Sequence, residues 1–286
     1  MSSTRATVSN ILTYSIVDGP GNRLVIFLQG CNFNCACCHN PHTIGECNHC
    51  GECIPACHVD ALSLVDGRIA YDPLACDHCD DCLEVCPISA NPMVRQCSVA
   101  EILELAREHR PFLTGVTVSG GEPTKQLDFI IELFRAIKSD KELAELSCFI
   151  DSNGHLSASD WKDVLPVTDG VMLDIKGFDG PTHTALTGMP NEKSLQSARL
   201  LHAAGKLYEL CRSWSSGELR GIPSKAWSNS GNNGQTGEQV DTCLGVRVRT
   251  GRVIDRNRRL IGAWMQVDHP AWHTQGRIGL GVGVHL

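Results

Sequence analysis

The chain has no excess of basic residues: 25 Lys and Arg stand against 32 Asp and Glu, a net charge of −7. That balance leaves no basic stripe to follow a phosphate backbone, so nucleic acid is not expected as a partner. Long apolar runs are missing too. No uninterrupted stretch approaches the roughly 20 apolar residues that cross a bilayer. The opening residues, MSSTRATVSN, lack the basic-then-apolar pattern of a secretory signal. These absences predict a cytoplasmic protein with no membrane partner. With 286 residues the chain can bury a substantial core, as one large domain or as a domain carrying an insertion.

What the chain does have is cysteine. There are 16, and 12 of them fall between positions 31 and 86. A long cytoplasmic chain has little use for a disulfide framework, so such clustering argues for metal or redox chemistry. Two runs match each other: Cys47-x2-Cys50-x2-Cys53-x3-Cys57 and Cys76-x2-Cys79-x2-Cys82-x3-Cys86-Pro87. This is the bacterial ferredoxin spacing, in which three thiolates wrap one cubane and the fourth crosses to the other cluster. The expected sets are Cys47, Cys50, Cys53 and Cys86 on one [4Fe–4S], and Cys76, Cys79, Cys82 and Cys57 on the second. Structural zinc also uses C-x2-C pairs, but eight cysteines in two matching runs, one ending in Cys-Pro, favour iron and sulfide. The first run departs slightly, with His58 where proline usually follows.

A third group has its own spacing: Cys31-x3-Cys35-x2-Cys38, within GCNFNCACCHNP. Three thiolates can hold a cubane yet leave one iron open to a substrate or cofactor. Cys37 is left over.

The rest of the first 210 residues alternates strand and helix. RLVIFLQG (23–30), GVTVSGGE (115–122), LSCFIDSNG (147–154) and DGVMLDIKG (169–177) read as buried strands. Segments 98–109, 127–139, 157–164 and 191–205 read as helices. Near-continuous apolar strands between helices imply a parallel sheet, closed or partly closed. The unusual polar residues sit at successive strand ends, where α/β barrels place their sites. The Cys-rich 45–90 block then interrupts the barrel as an insertion.

The tail differs. Residues 1–210 carry 15 Lys and Arg against 27 Asp and Glu, whereas 211–286 carry 10 against 5. Its first part has neither a 2- nor a 3.6-residue period and reads as irregular.

The ordered motifs SIVDGPGNRLVIFLQGCNFNCACCHNP (15–41), TVSGGEPTKQ (117–126), DSNG (151–154), VMLDIKG (171–177) and HTALTG (183–188) resemble those of radical S-adenosylmethionine (SAM) enzymes. Within these, the likeness is to the activating enzymes of glycyl-radical enzymes, in the form with a two-cluster ferredoxin-like insertion. Length and local wording come nearest the YjjW type. The resemblance covers about residues 8–210 and implies a partial (β/α)6 barrel over 1–44 and 91–210, with the ferredoxin-like insertion at 45–90. It implies that such a chain cleaves SAM reductively to a 5′-deoxyadenosyl radical, which takes a hydrogen from a glycine of a partner glycyl-radical enzyme. A flavodoxin or ferredoxin-type protein would be the electron donor.

The resemblance also assigns residues. Cys31, Cys35 and Cys38 match the ligands of the SAM-binding [4Fe–4S] cluster, the first of three clusters. Cys37, Cys38 and His39 match the segment beside SAM. Gly120, Gly121 and Glu122 match the strand end that meets the methionyl amine. Asp151, Ser152 and Asn153 match a segment near SAM and a monovalent cation. Asp174, Ile175 and Lys176 match a strand touching SAM and the incoming glycine loop, Lys176 being a catalytic candidate. The Asp18–Arg23 segment matches a signature expected at the mouth of the barrel.

After GKLYEL the family pattern stops. Read one base earlier, with Arg as CGN and Ser as TCN, CRSWSS back-translates to an apolar strand pattern. The tail at 211–286 is therefore expected to be out of frame with its relatives and poorly ordered. Two other functions are open to the residues: another peptide-modifying radical SAM enzyme, or a ferredoxin-like electron carrier. A carrier would need neither the three-cysteine run nor the SGGE strand end.

Overall fold

The computed structural model describes residues 4–212 and three short strands at 246–248, 253–254 and 260–262. In chain order the elements are β1 (Arg5–Ser15), β2 (Arg23–Leu28), β3 (Leu62–Val65), β4 (Arg68–Tyr71), α1 (Asp81–Glu84), β5 (Arg95–Ser98) and α2 (Val99–Glu108). There follow β6 (Gly115–Gly120), α3 (Leu127–Ser139), β7 (Ser147–Ser152), α4 (Ala158–Val164), β8 (Gly170–Ile175), α5 (Gly180–Thr187), α6 (Glu192–Ala203) and β9 (Leu207–Arg212). The late strands are β10 (Val246–Val248), β11 (Val253–Ile254) and β12 (Leu260–Gly262). Beyond Arg212, the expectation of an irregular, out-of-frame tail falls outside the described residues except for these three strands.

One sheet runs β10-β9-β8-β7-β6-β2-β1-β5. From β2 to β9 neighbouring strands pair in parallel, and helices follow β6, β7 and β8 as crossovers. This α/β arrangement is that of a partial barrel, with five parallel strands among the described residues. The parallel strands are covered by helices and so are apolar almost throughout; β6 is buried from Gly115 to Ser119. Helix α3 buries Phe129, Ile130, Leu133, Phe134 and Ile137, the i, i+1, i+4, i+5, i+8 pattern of one helical face. Helix α2 starts on a capping box in which Ser98 and Glu101 satisfy each other's backbone N–H groups. Strand β1, which pairs antiparallel with β2 and β5, has no counterpart in the sequence reading.

The Cys-rich block leaves and rejoins the barrel at neighbouring points, since Gly45 and Ala90 form a bridge. A side chain at Gly45 would stand 2.2 Å from the Ile88 carbonyl, so only glycine fits there. Inside the block β3 and β4 pair around Asp66-Gly67, both with positive φ, the two-residue hairpin that Asp-Gly favours.

Arg23 corrects the expectation for the Asp18–Arg23 segment. It lies at the start of β2, at the opposite end of the parallel strands from the cysteines, and plugs the barrel floor instead of shaping its mouth. The fully buried guanidinium donates to Thr117 Oγ1, the Pro20 and Val116 carbonyls, and Ser147 Oγ and O, at 2.6–3.1 Å. It also lies 4.4 Å from the Phe149 ring centroid. Burial lowers its pKa to about 10, so it stays charged at neutral pH. Gly115 makes room for it: a Cβ there would sit 2.4 Å from Nη1.

Candidate SAM and iron–sulfur sites

Strand β2 delivers the chain to the three-cysteine loop through Gly30, whose φ is +97°. The loop is fastened on several sides. Gly30 and Cys31 donate backbone N–H groups to the Thr43 and Ile44 carbonyls, at 2.9 and 3.0 Å. Asn34 and Ala36 donate to the Thr187 and Leu186 carbonyls at the end of α5, both at 2.9 Å. Asn32 Oδ1 accepts from Asn153 Nδ2 at 2.8 Å. Phe33 is 2% exposed and meets the His155 and His183 rings edge-on at 5.5 and 5.3 Å.

Cys31, Cys35 and Cys38 all lie half-buried with free thiols. Desolvation raises the pKa of Cys31 to about 11 and of Cys35 to about 12, and raises that of Cys38 as well. The three feel one another's charge, and Lys176 pulls each pKa back down. Thiols of this kind ionise when a cation takes the proton's place. Cys37 is exposed. His39 is exposed as well.

The adjacent strand end explains its two glycines. A Cβ on Gly120 would fall 2.2 Å from the Leu28 carbonyl oxygen, and one on Gly121 2.4 Å from that of Gly30. The Gly121 and Glu122 N–H groups donate to those same two carbonyls at 3.0 and 2.8 Å. The glycine pair thus lets β6 press its backbone against the root of the cysteine loop. Gln126 completes the joint by donating to the Thr7 and Gln29 carbonyls, both at 3.0 Å.

Glu122 is 1% exposed. Its carboxylate accepts from Thr124 N–H and O–H, Ser152 Oγ and Asn153 N–H, at 2.6–3.1 Å. Burial raises its pKa while these donors oppose the rise. Its structural work is to hold the DSNG turn at the end of β7. Glu122→Gln conserves volume but turns an amide donor against an N–H or O–H donor. It should therefore lower stability by roughly 1–3 kcal/mol, read as a fall in the thermal midpoint.

Beyond Glu122 the same turn is fixed from behind. Ser194 and Ser197 donate to the Asn153 and Gly154 carbonyls, and Trp161 Nε1 donates to Ser197 Oγ. Asp151 accepts from Ser119 Oγ at 2.9 Å. At the end of β8, Lys176 bonds Asp174, while Ile175 between them is buried in the core. Burial works against the Lys176 charge, but Asp174, Cys35 and Asp151 together outweigh it and raise the pKa. A lysine held cationic therefore faces the three thiols.

In the Cys-rich block, one small cavity is lined by Cys47, Cys50, Cys53 and Cys86 among others. A second is lined by Cys57, Cys76, Cys79 and Cys82 among others. The two runs share one backbone conformation. Positive φ recurs at matched positions: His49 with His78, Gly51 with Asp80, and Asp60 with Ser89. Matched N–H groups also point at sulfur, from His49 and His78 to Cys47 and Cys76, both 3.4 Å, and from Ala61 and Ala90 to Cys57 and Cys86, at 3.2 and 3.3 Å. Phe33 N–H makes the same contact to Cys31 Sγ at 3.4 Å. Amide donors aimed at sulfur suit thiolates that ligate iron, so all three groups fit a [4Fe–4S] cluster.

Sequence reasoning missed Phe33, Asn32 and His155, whose roles depend on contacts more than 100 residues away in the chain. An apolar residue inside an otherwise polar cysteine loop was the signal available for Phe33.

These features define a radical SAM protein, and residues 25–210 match the model of the Radical SAM superfamily. The chain belongs to that superfamily and, within it, to the activating enzymes of glycyl-radical enzymes. It is 34% identical over 214 residues to the trans-4-hydroxy-L-proline dehydratase activating enzyme of Clostridioides difficile, covering 69% of this chain and 70% of that one. The benzylsuccinate synthase activating enzyme of Thauera aromatica is 36% identical over 220 residues, 69% of this chain and 65% of that protein. A putative glycyl-radical enzyme activating enzyme of Haemophilus influenzae is 32% identical over 167 residues, 58% of this chain and 46% of that protein. Among the described residues, no helix is long and apolar enough to cross a membrane.

Proposed function

We propose that this chain cleaves SAM reductively and removes a hydrogen atom from one glycine of a partner glycyl-radical enzyme. The observation that carries the reading is the meeting of Cys31, Cys35 and Cys38 with the Lys176–Asp174 pair at the C-terminal ends of β2 and β8. When bound, a [4Fe–4S] cluster on these three thiolates would keep one iron without a protein ligand and supply the electron that breaks the S–C5′ bond.

The protein's part is position and charge. Lys176 offers a fixed cation to a carboxylate, and Asp151 and Asp174 offer carboxylates to an ammonium, to ribose hydroxyls or to a monovalent cation. The wall of buried Glu122, Ser152 and Asn153 keeps water from one side of the site. In this reading the 45–90 insertion holds two auxiliary clusters, one on Cys47, Cys50, Cys53 and Cys86, the other on Cys57, Cys76, Cys79 and Cys82. These ligand sets would hold groups able to relay electrons from a flavodoxin or ferredoxin-type donor, or would shape the partner dock, beside a barrel formed by 1–44 and 91–210.

The test uses the reconstituted protein under anaerobic conditions with SAM, dithionite and a panel of glycyl-radical enzymes. A glycyl-radical doublet by EPR on one of them supports the reading. Formation of 5′-deoxyadenosine with no glycyl radical on any would favour modification of a different peptide residue.

A further inference from the structure

The motif HTALTG forms the last part of α5 and its Gly188 cap, and the chemistry above gives it no task. Its His183 is completely buried. Nδ1 lies 2.8 Å from the Met189 carbonyl oxygen, which can only accept, so Nδ1 carries the proton. Burial lowers the pKa and keeps the ring neutral. The ring is thereby locked in orientation, with Nε2 buried and without a hydrogen-bond partner among the described residues. Its near neighbour Thr187 closes the turn: Oγ1 donates to the His183 carbonyl at 2.8 Å and accepts from Met189 N–H at 3.1 Å. Gly188, at φ +76°, caps the helix.

This rigid turn presents two things to the cysteine loop. One is the pair of terminal carbonyls, Leu186 and Thr187, that receive the N–H groups of Ala36 and Asn34. These N–H groups flank Cys35. The other is the His183 ring, which meets the buried Phe33 ring edge-on. Phe33 N–H in turn points at Cys31 Sγ. Two of the three ligand positions are therefore set by contacts that lead back to α5.

We infer that His183 is a positioning residue: by fixing the end of α5 and packing on Phe33, it holds the three-cysteine loop in the shape that binds the SAM-cleaving cluster. It touches neither substrate nor iron in this role. The inference rests on the proposed function for what the loop holds, but the clamp itself can be read without it.

The experiment compares wild type, His183→Ala, His183→Asn and Phe33→Ala after anaerobic reconstitution. Asn places a side-chain N–H near the position of Nδ1 and retains the bond to Met189. Wild type and His183→Asn should carry about 12 irons per chain, from three four-iron clusters. His183→Ala and Phe33→Ala should fall to about 8, losing the SAM-perturbed EPR signal and keeping the auxiliary ones. In parallel, hydrogen exchange of the 31–38 peptide should be slow in wild type and at least about tenfold faster in both Ala variants.

Unchanged iron and unchanged exchange in His183→Ala would overturn the inference. Loss of all three clusters together would also overturn it, because His183 would then support the whole fold and not the loop. A wild type that never exceeds about 8 irons would count against the proposed function, and the exchange rates would still decide the clamp.

Discussion

Cys38→Ser should cost the protein one of the three proposed clusters and nearly all of the proposed SAM cleavage, while Cys37→Ser should cost neither. Iron should drop from about 12 to about 8 per chain in the first variant and stay at about 12 in the second. Production of 5′-deoxyadenosine should fall at least about a thousandfold for Cys38→Ser, a loss of about 4 kcal/mol in transition-state stabilisation. The contrast follows from the loop. Cys38 shares charge coupling and burial with Cys31 and is pulled by Lys176, whereas Cys37 is exposed. Serine keeps the size of cysteine but is a poor ligand for iron in place of thiolate. Equal iron loss in the two variants would refute the assignment of ligands.

Arg23→Met has the largest expected effect on stability. The substitution roughly conserves length and apolar bulk but leaves Thr117 Oγ1, Ser147 Oγ and the Val116, Pro20 and Ser147 carbonyls without their donor. Stranding several buried acceptors should cost about 3–5 kcal/mol, a fall in thermal midpoint of roughly 10 °C. The wild-type contribution stays constant across neutral pH, since a guanidinium lowered only to about 10 remains charged there. Because its pKa is lowered on folding, any pH dependence is confined to the range above about 10, where the unfolded chain binds more protons and stability rises with pH. Circular dichroism melts at pH 7 and pH 9 check both points. A midpoint within about 2 °C of wild type would show that the floor of the barrel tolerates an apolar plug.

Much of the barrel is legible in the amino-acid sequence. The strands at 23–28, 115–120, 147–152 and 170–175 are near-continuous apolar runs because both faces are covered, and that pattern survives in one dimension. The helices at 99–108 and 127–139 are legible for the same reason, with one apolar face each. Strand β1 is not. Its residues RATVSNILTYS alternate weakly, and only Ala6 and Val8 are buried, so it exists through pairing with β2 and β5 and not through its own composition. Helix α5 is short, with little amphipathic character, and is defined by its Asp179 cap and the turn at Gly188.

The site shows the same division. Cysteine spacing proposes ligand sets, since short loops limit which thiols can converge. Side-chain direction is another matter. Glu122 stands at a strand end, where a carboxylate could face a ligand, yet it turns inward to four donors, two of them from the DSNG turn. Arg23 sits in a signature that suggests the barrel mouth and instead fills its floor. Both outcomes depend in part on partners 30 to 124 residues away, which no local pattern encodes.

The three-cysteine loop and its facing Lys176 are proposed to make a site for reductive SAM cleavage. The most direct measurement is anaerobic incubation of the reconstituted chain with SAM and dithionite, followed by chromatography for 5′-deoxyadenosine and methionine in equal amounts. Both products are expected, dependent on dithionite and absent in Cys38→Ser. Intact SAM in a protein that carries all its clusters in the reduced state would contradict this proposal.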